Sequence, residues 1–260
     1  MKKTNILAAL LLLMAGVQQT WAQKVVLHKA DGEVFEYSVS KLDSMAVVGR
    51  YDTDNKAYVD LGLPSGTLWA TCNVGASSPG QYGDYFAWGE TTPKNDYSWE
   101  TYSYCNGSDH SLTKYCTNSD YGDEGFTDDI EELLPADDAA TVCWGNDWQM
   151  PSEEQFNELI DPQYTTTSWV TYGRLITSKS NGRSIFLPAA GYRSEADIFF
   201  AGGDNGYGCY WSRSVYNNVV RSFQPGSCSF AHRLLFNSDE IKTNTIGRSE
   251  GFCVRPVRKK

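Results

Sequence analysis

The stretch Ser184–Arg193 reads SIFLPAAGYR; further on come CYWSR at Cys209–Arg213 and GFCVRPV at Gly251–Val257. Each is a short apolar or aromatic run that contains or directly follows a Gly or Pro, the mark of strands joined by tight turns. Between them lie Arg, Tyr and Asn residues in polar surroundings. The set points to a strand-and-loop scaffold that presents one face of side chains for binding, rather than to a catalytic centre.

Working outward, the amino terminus carries Lys2 and Lys3, an uncharged apolar run from Ile6 to Val17, and small residues near Ala22. This predicts a secretory signal peptide over 1–22, too short and wrongly flanked for a spanning helix. No cysteine stands where lipid attachment would require one, and no second long apolar stretch follows. The mature chain is therefore expected to be exported, to the periplasm, the cell surface or the medium. Removing Lys2 and Lys3 from the 22 bases leaves 20 against 32 acids, a net charge of −12. That balance argues against a nucleic-acid partner.

The acidic excess is local. No Lys or Arg lies between Lys114 and Arg174, an interval holding 14 carboxylates from Asp120 to Asp161. A solvated acidic loop followed by an acidic helix accounts for it. A calcium site drawn from Asp120, Asp123, Glu124, Asp128 and Asp129 is the sharper alternative, although the spacing does not match the helix-loop-helix calcium loop.

All seven cysteines fall after the leader, and export permits disulfides. Cys105 and Cys116 flank the loop CNGSDHSLTKYC and form the easiest local pair; Cys209 and Cys228 form the next. Spacing does not determine connectivity, and an odd count leaves a thiol free or paired between chains. Buried inert thiols are the plain expectation for Cys72, Cys143 and Cys253.

Along the chain, 23–50 reads as a leader hairpin turning at Asp31-Gly32, with a short helical turn over Ser40–Met45. A polar linker follows at 51–57, and the main domain spans 58–258. Strands are predicted around Pro64-Ser65-Gly66, at Tyr85–Trp88, and repeatedly from Trp169 to Val257, including Val219–Phe223. Thr91–Leu134 is a long polar stretch, expected to be functional or pinned by cross-links. Asp137 or Asp138 can cap one short helix. Ser152, with Gln155 three residues on, opens a second with Phe156, Leu159 and Ile160 on one face. Few helices among many short strands make the class α+β.

Six stretches in order, YVDLGLPSGTLWATCNVGA (58–76), GDYFAWGET (83–91), DDAATVCWGNDWQMPSEEQFNELI (137–160) and the three quoted first, resemble the Fibrobacter succinogenes major paralogous domain family of exported Bacteroidetes proteins. The resemblance covers about 200 residues, from Tyr58 to Val257. It implies a C-type-lectin-like fold with short mixed or antiparallel sheets, two helices and long loops. It also implies kinship to formylglycine-generating enzymes and to the variable proteins of retroelements. First and last strands would pair, bringing Leu61–Trp69 beside Phe252–Val257, and the late strands and loops would form the binding face. This chain has Cys143 and Cys253 where the family carries polar residues, and their joint presence allows a bridge between them.

The chemistry-bearing residues are sparse. His28, His110 and His232 are scattered, and no zinc spacing, HExxH, GxSxG or phosphate loop appears. The closely spaced cysteines of the formylglycine-generating relatives are absent, as is an acid after Gln224-Pro225 that calcium-dependent sugar binding would use. Trp69, Trp88, Trp144, Trp148 and Trp211 lie inside the family motifs and are expected in the core. The late segment supplies Arg213, Tyr216, Asn217, Asn218, Arg221 and His232, the side-chain types that adaptable binding surfaces favour. The expected function is a non-enzymatic module for a protein or glycan ligand. A formylglycine-generating-like catalyst, or a structural subunit of a surface assembly, is the alternative.

Overall fold

The computed structural model describes residues 57–216 and 227–258 in full, and the backbone of the strands 24–28, 34–38, 45–48 and 50–51. The expected signal peptide, and the segment with Asn217, Asn218 and Arg221, lie outside the described residues. The leader is a three-stranded antiparallel sheet, β1 (Lys24–His28), β2 (Val34–Ser38) and β3 (Met45–Val48), with Leu27 opposite Phe35 and Phe35 opposite Val47. The third strand corrects the expected helical turn as it reaches Met45. MAVV is an apolar, partly β-branched run that suits a pleated edge, and a hairpin alone is marginal. The expected linker is shortened too, because β4 (Arg50–Tyr51) pairs with β5 (Ala57–Asp60).

β6 (Leu68–Ala70) runs antiparallel to β5, with Val59 opposite Trp69. After a long connection come α1 (Ala139–Trp144) and α2 (Glu153–Ile160). Asp138 caps α1 by accepting from the Thr141 amide. Ser152 and Gln155 complete a capping box on α2, whose buried Phe156 and Leu159 turn inward. β7 (Thr165–Val170), β8 (Gly173–Ser178) and β9 (Ser184–Pro188) form one antiparallel sheet; β10 (Tyr192–Ser194) and β11 (Asp197–Phe199) form a small hairpin. β12 (Gly208–Val215), β13 (Phe230–Phe236) and β14 (Ile241–Gly247) make the late sheet, and β15 (Val257–Arg258) closes on β6 with Val257 opposite Trp69. First and last strands of the main domain thus meet, as expected, in an α+β arrangement of short antiparallel strands, two helices and loops.

Two aromatic cores flank β12. Cys209 and Trp211 face one, with Phe86, Trp88, Tyr102 and Phe252. Tyr210 faces the other, with Trp69, Phe156, Leu234 and Phe236. Period-two alternation places neighbours on opposite faces, so a strand buried on both sides joins the two cores. The tryptophan expectation holds for Trp69, Trp88, Trp148 and Trp211, whereas Trp144 is only half-buried.

The candidate ligand-binding face

Among the described residues no group of three or more acids, His or Cys could hold a metal ion. The five expected calcium ligands do not converge. The Asp128 carboxylate is filled by amides, accepting from Tyr115 at 2.7 Å, Cys116 at 2.9 Å and Ile130 at 3.2 Å. Asp123 accepts from the Asn106 amide at 2.6 Å. Asp120, Glu124 and Asp129 are exposed. Asp123 and Asp128 therefore hold the loop that carries them.

The expected cross-links are corrected as well. Cys105 Sγ donates to the Trp99 carbonyl at 3.1 Å, while Cys116 Sγ lies 3.0 Å from Cys228 Sγ. Cys209 Sγ instead accepts from Arg233 at 3.6 Å. Cys143 is exposed and contacts the Thr91 carbonyl at 3.9 Å, whereas buried Cys253 contacts that of Tyr82 at 3.2 Å. Loop closure in sequence favoured the local pair, but the chain folds Cys116 inward against the turn that leads into β13.

The late sheet has two faces. His232, Leu234 and Phe236 alternate toward α2; Ala231, Arg233 and Leu235 alternate away from it. His232 and Arg213, expected on the binding face, are engaged near α2 and its approach. His232 Nδ1 is 3.2 Å from Glu153, and burial lowers its pKa against the pull of Glu153 and Glu154. Arg213 donates to Gln149 at 2.9 Å and pairs with Glu132 at 3.1 Å. Tyr216 packs its ring edge-on against His232 at 5.7 Å. Tyr216 and His232 are thus brought together, and the Arg213 charge and the His232 ring both meet carboxylates of the same chain.

The opposite face carries a pocket of about 300 Å³. The three stretches that decide the fold meet there. The β10–β11 hairpin is pinned to the carboxy-terminal stretch by reciprocal bonds between Arg193 and Gly251, each 2.8 Å. Gly191 lets the hairpin's return pass close to its start: its φ is +65°, and a Cβ there would sit 2.1 Å from the Phe199 carbonyl oxygen. Tyr192, Phe200, Tyr207 and Phe252 wall the pocket, over a floor that includes Leu235 and Ile246. Tyr192 stacks on Phe199 at 5.5 Å and meets Phe252 edge-on at 6.0 Å, and Phe200 meets Tyr207 at 5.3 Å.

Two charged groups enter this aromatic enclosure. Arg233 donates from Nε to Asn244 at 2.8 Å and from Nη1 to Cys209, and its guanidinium stacks over Phe252 at 5.0 Å. Burial pushes the Cys209 thiol up to about 11, so it stays protonated near neutral pH and is a poor nucleophile. Glu250 Oε1 accepts from Ser194 at 3.3 Å, while Oε2 is shielded from solvent without a hydrogen-bond partner. Burial raises the Glu250 pKa, opposed by the Ser194 bond and the Arg233 charge. Beside the pocket the hairpin exposes Ile198 at 54%, Phe199 at 39% and Phe200 at 54%. Phe200 adopts φ +54°, an unusual conformation for a bulky residue and one found where function holds strain.

Sequence reasoning placed binding on the late segment but missed this face. Tyr192, Glu250 and Phe252 stood inside or beside motifs assigned to the scaffold, and β14 went unread because IKTNTIG is mostly polar. The exposed pair Phe199-Phe200 beside AAGYR was the available signal, since apolar side chains left together outside mark interaction sites. Among the described residues no helix is long and apolar enough to cross a membrane. Comparison with known protein families, curated proteins and solved structures found no match for this chain.

Proposed function

We propose that this protein is an exported, non-enzymatic binding module with a C-type-lectin-like fold, of the major paralogous domain family, that recognises a protein or glycan ligand at or outside the cell envelope through its late strand-loop face. The signal-peptide pattern and the ordered motifs support export and family. The aromatic-walled pocket on the late sheet, beside the exposed Ile198–Phe200 tip, carries the binding reading. Concave sites lined by apolar rings with a few convergent polar groups are the usual form of a ligand site.

The test is a screen of residues 23–260 against a glycan array and envelope proteins, with Phe200→Ala beside the parent chain. Phe200 is half-exposed, so its loss should leave the fold intact and weaken binding about tenfold, as for a central aromatic anchor. Full affinity in that variant would move the face to the Tyr216–His232 side. A protein-dependent cysteine-to-formylglycine mass change in a candidate peptide would sink the non-enzymatic reading.

A further inference from the structure

We propose that the pocket bounded by Tyr192, Phe200, Arg233 and Glu250 takes one neutral pyranose ring, held without a metal ion. The inference rests on the binding-module reading above and names the chemistry of its ligand.

Glu250 Oε2 is shielded and has no donor. An acceptor left so is costly, and a ligand that donates to it recovers that cost. Arg233 contributes cationic donor character to the same enclosure. A hydroxyl both donates and accepts, so adjacent hydroxyls on one ring can meet the acid and the guanidinium together without bringing in charge. The aromatic walls suit the other half of such a ligand, because a pyranose presents C–H faces between its polar edges. A volume of about 300 Å³ lies at the small end of ligand sites, which suits one ring better than a chain.

Other occupants fit less well. A bidentate carboxylate needs a free guanidinium edge, but Arg233 already directs Nε to Asn244 and Nη1 to Cys209. A cation would share the enclosure with Arg233, whose charge repels it. Calcium needs six to eight oxygens, whereas Glu250 is the pocket's one carboxylate and no metal-binding group occurs among the described residues.

The experiment is a calorimetric titration of residues 23–260 with methyl glycosides of glucose, galactose, mannose and N-acetylglucosamine, in the presence of chelator, with lysine and glutamate as charged controls. At least one glycoside should saturate. Glu250→Gln, which keeps shape and an acceptor for Ser194, should weaken it about tenfold by replacing a charged acceptor with a neutral one. Phe200→Ala should weaken it comparably, and it carries the test alone if the first variant melts early. Saturation by lysine or glutamate instead, or a requirement for calcium, overturns the proposal. So does the absence of any saturating glycoside: if Phe200→Ala still abolishes a ligand found in the wider screen, the binding face stands and only its occupant is wrong. If that ligand binds the variant undiminished, this face falls with it.

Discussion

Arg255, within the carboxy-terminal motif, is fully buried and bonds to carbonyl groups. Its guanidinium donates to Asn73 Oδ1 at 2.8 Å and to the backbone carbonyls of Ala70, Thr71 and Phe186 at 2.9–3.0 Å. Arg248 is equally buried, donating to Tyr102 Oη and to the carbonyls of Lys114, Tyr115 and Cys228, with Trp88 stacked at 4.9 Å. Five donors in a fixed fork let one arginine satisfy several backbone carbonyls at once. Met at position 255 would keep the apolar volume and strip four oxygens of their donor. Chemical denaturation of Arg255→Met should show a loss of roughly 3–5 kcal/mol; a loss under about 1 kcal/mol would mean that those carbonyls find other partners.

At the scale of elements, the long stretch from Thr91 to Leu134 is held without the cross-link expected of it. Tyr97, Tyr102, Leu112 and Tyr115 bury their side chains in the first core. Its far end is tied at Asp137, which accepts from Tyr104 Oη at 2.9 Å and also from Lys114 Nζ and Tyr115 Oη. Burial opposes ionisation of Asp137, but these bonds together hold its pKa below the ordinary value. A depressed carboxylate stabilises the fold above its unfolded pKa, near 3.9, and the benefit is lost as pH falls through the folded value. Asp137→Asn should therefore cost roughly 2 kcal/mol at neutral pH, discounted because Lys114 is partly exposed. Melting curves from pH 7 to 2 should converge for variant and parent at the acid end. A constant gap across that range would show that ionisation of Asp137 is not what the bonds require.

Across the whole molecule, the thiols of Cys116 and Cys228 link the acidic loop to the start of the late strand β13. They lie 112 positions apart in sequence, and both are fully buried. Burial, and then the neighbouring Cys228, push the Cys116 thiol up to about 12, so that thiol is a poor nucleophile once folded. If the chain is exported as proposed, an oxidising compartment would let the bond form during folding. Peptide mapping of secreted material without reduction should recover Cys116 joined to Cys228, and reduction should cost up to about 4 kcal/mol if the bond is unstrained. Recovery of Cys105 joined to Cys116 would contradict the placement of both loops.

What the sequence determined by itself was local. The capping box at Ser152, the apolar face of α2 and a cap at Asp137 or Asp138, of which the fold uses Asp138, are decided by neighbours within a few residues, where periodicity and hydrogen-bonding side chains act directly. The meeting of first and last strands was what the family resemblance implied, and β15 does pair with β6. Only the tertiary structure decided which face of the late sheet is open. His232 and Arg233 are adjacent in sequence, yet one faces α2 and the other the pocket. That difference depends on where α2 and the β10–β11 hairpin dock. Likewise Cys116 met Cys228 and not Cys105, because core packing rather than chain separation sets which buried groups touch. Side-chain alternation says that neighbours part company; only packing across the sheet says which of them reaches a ligand.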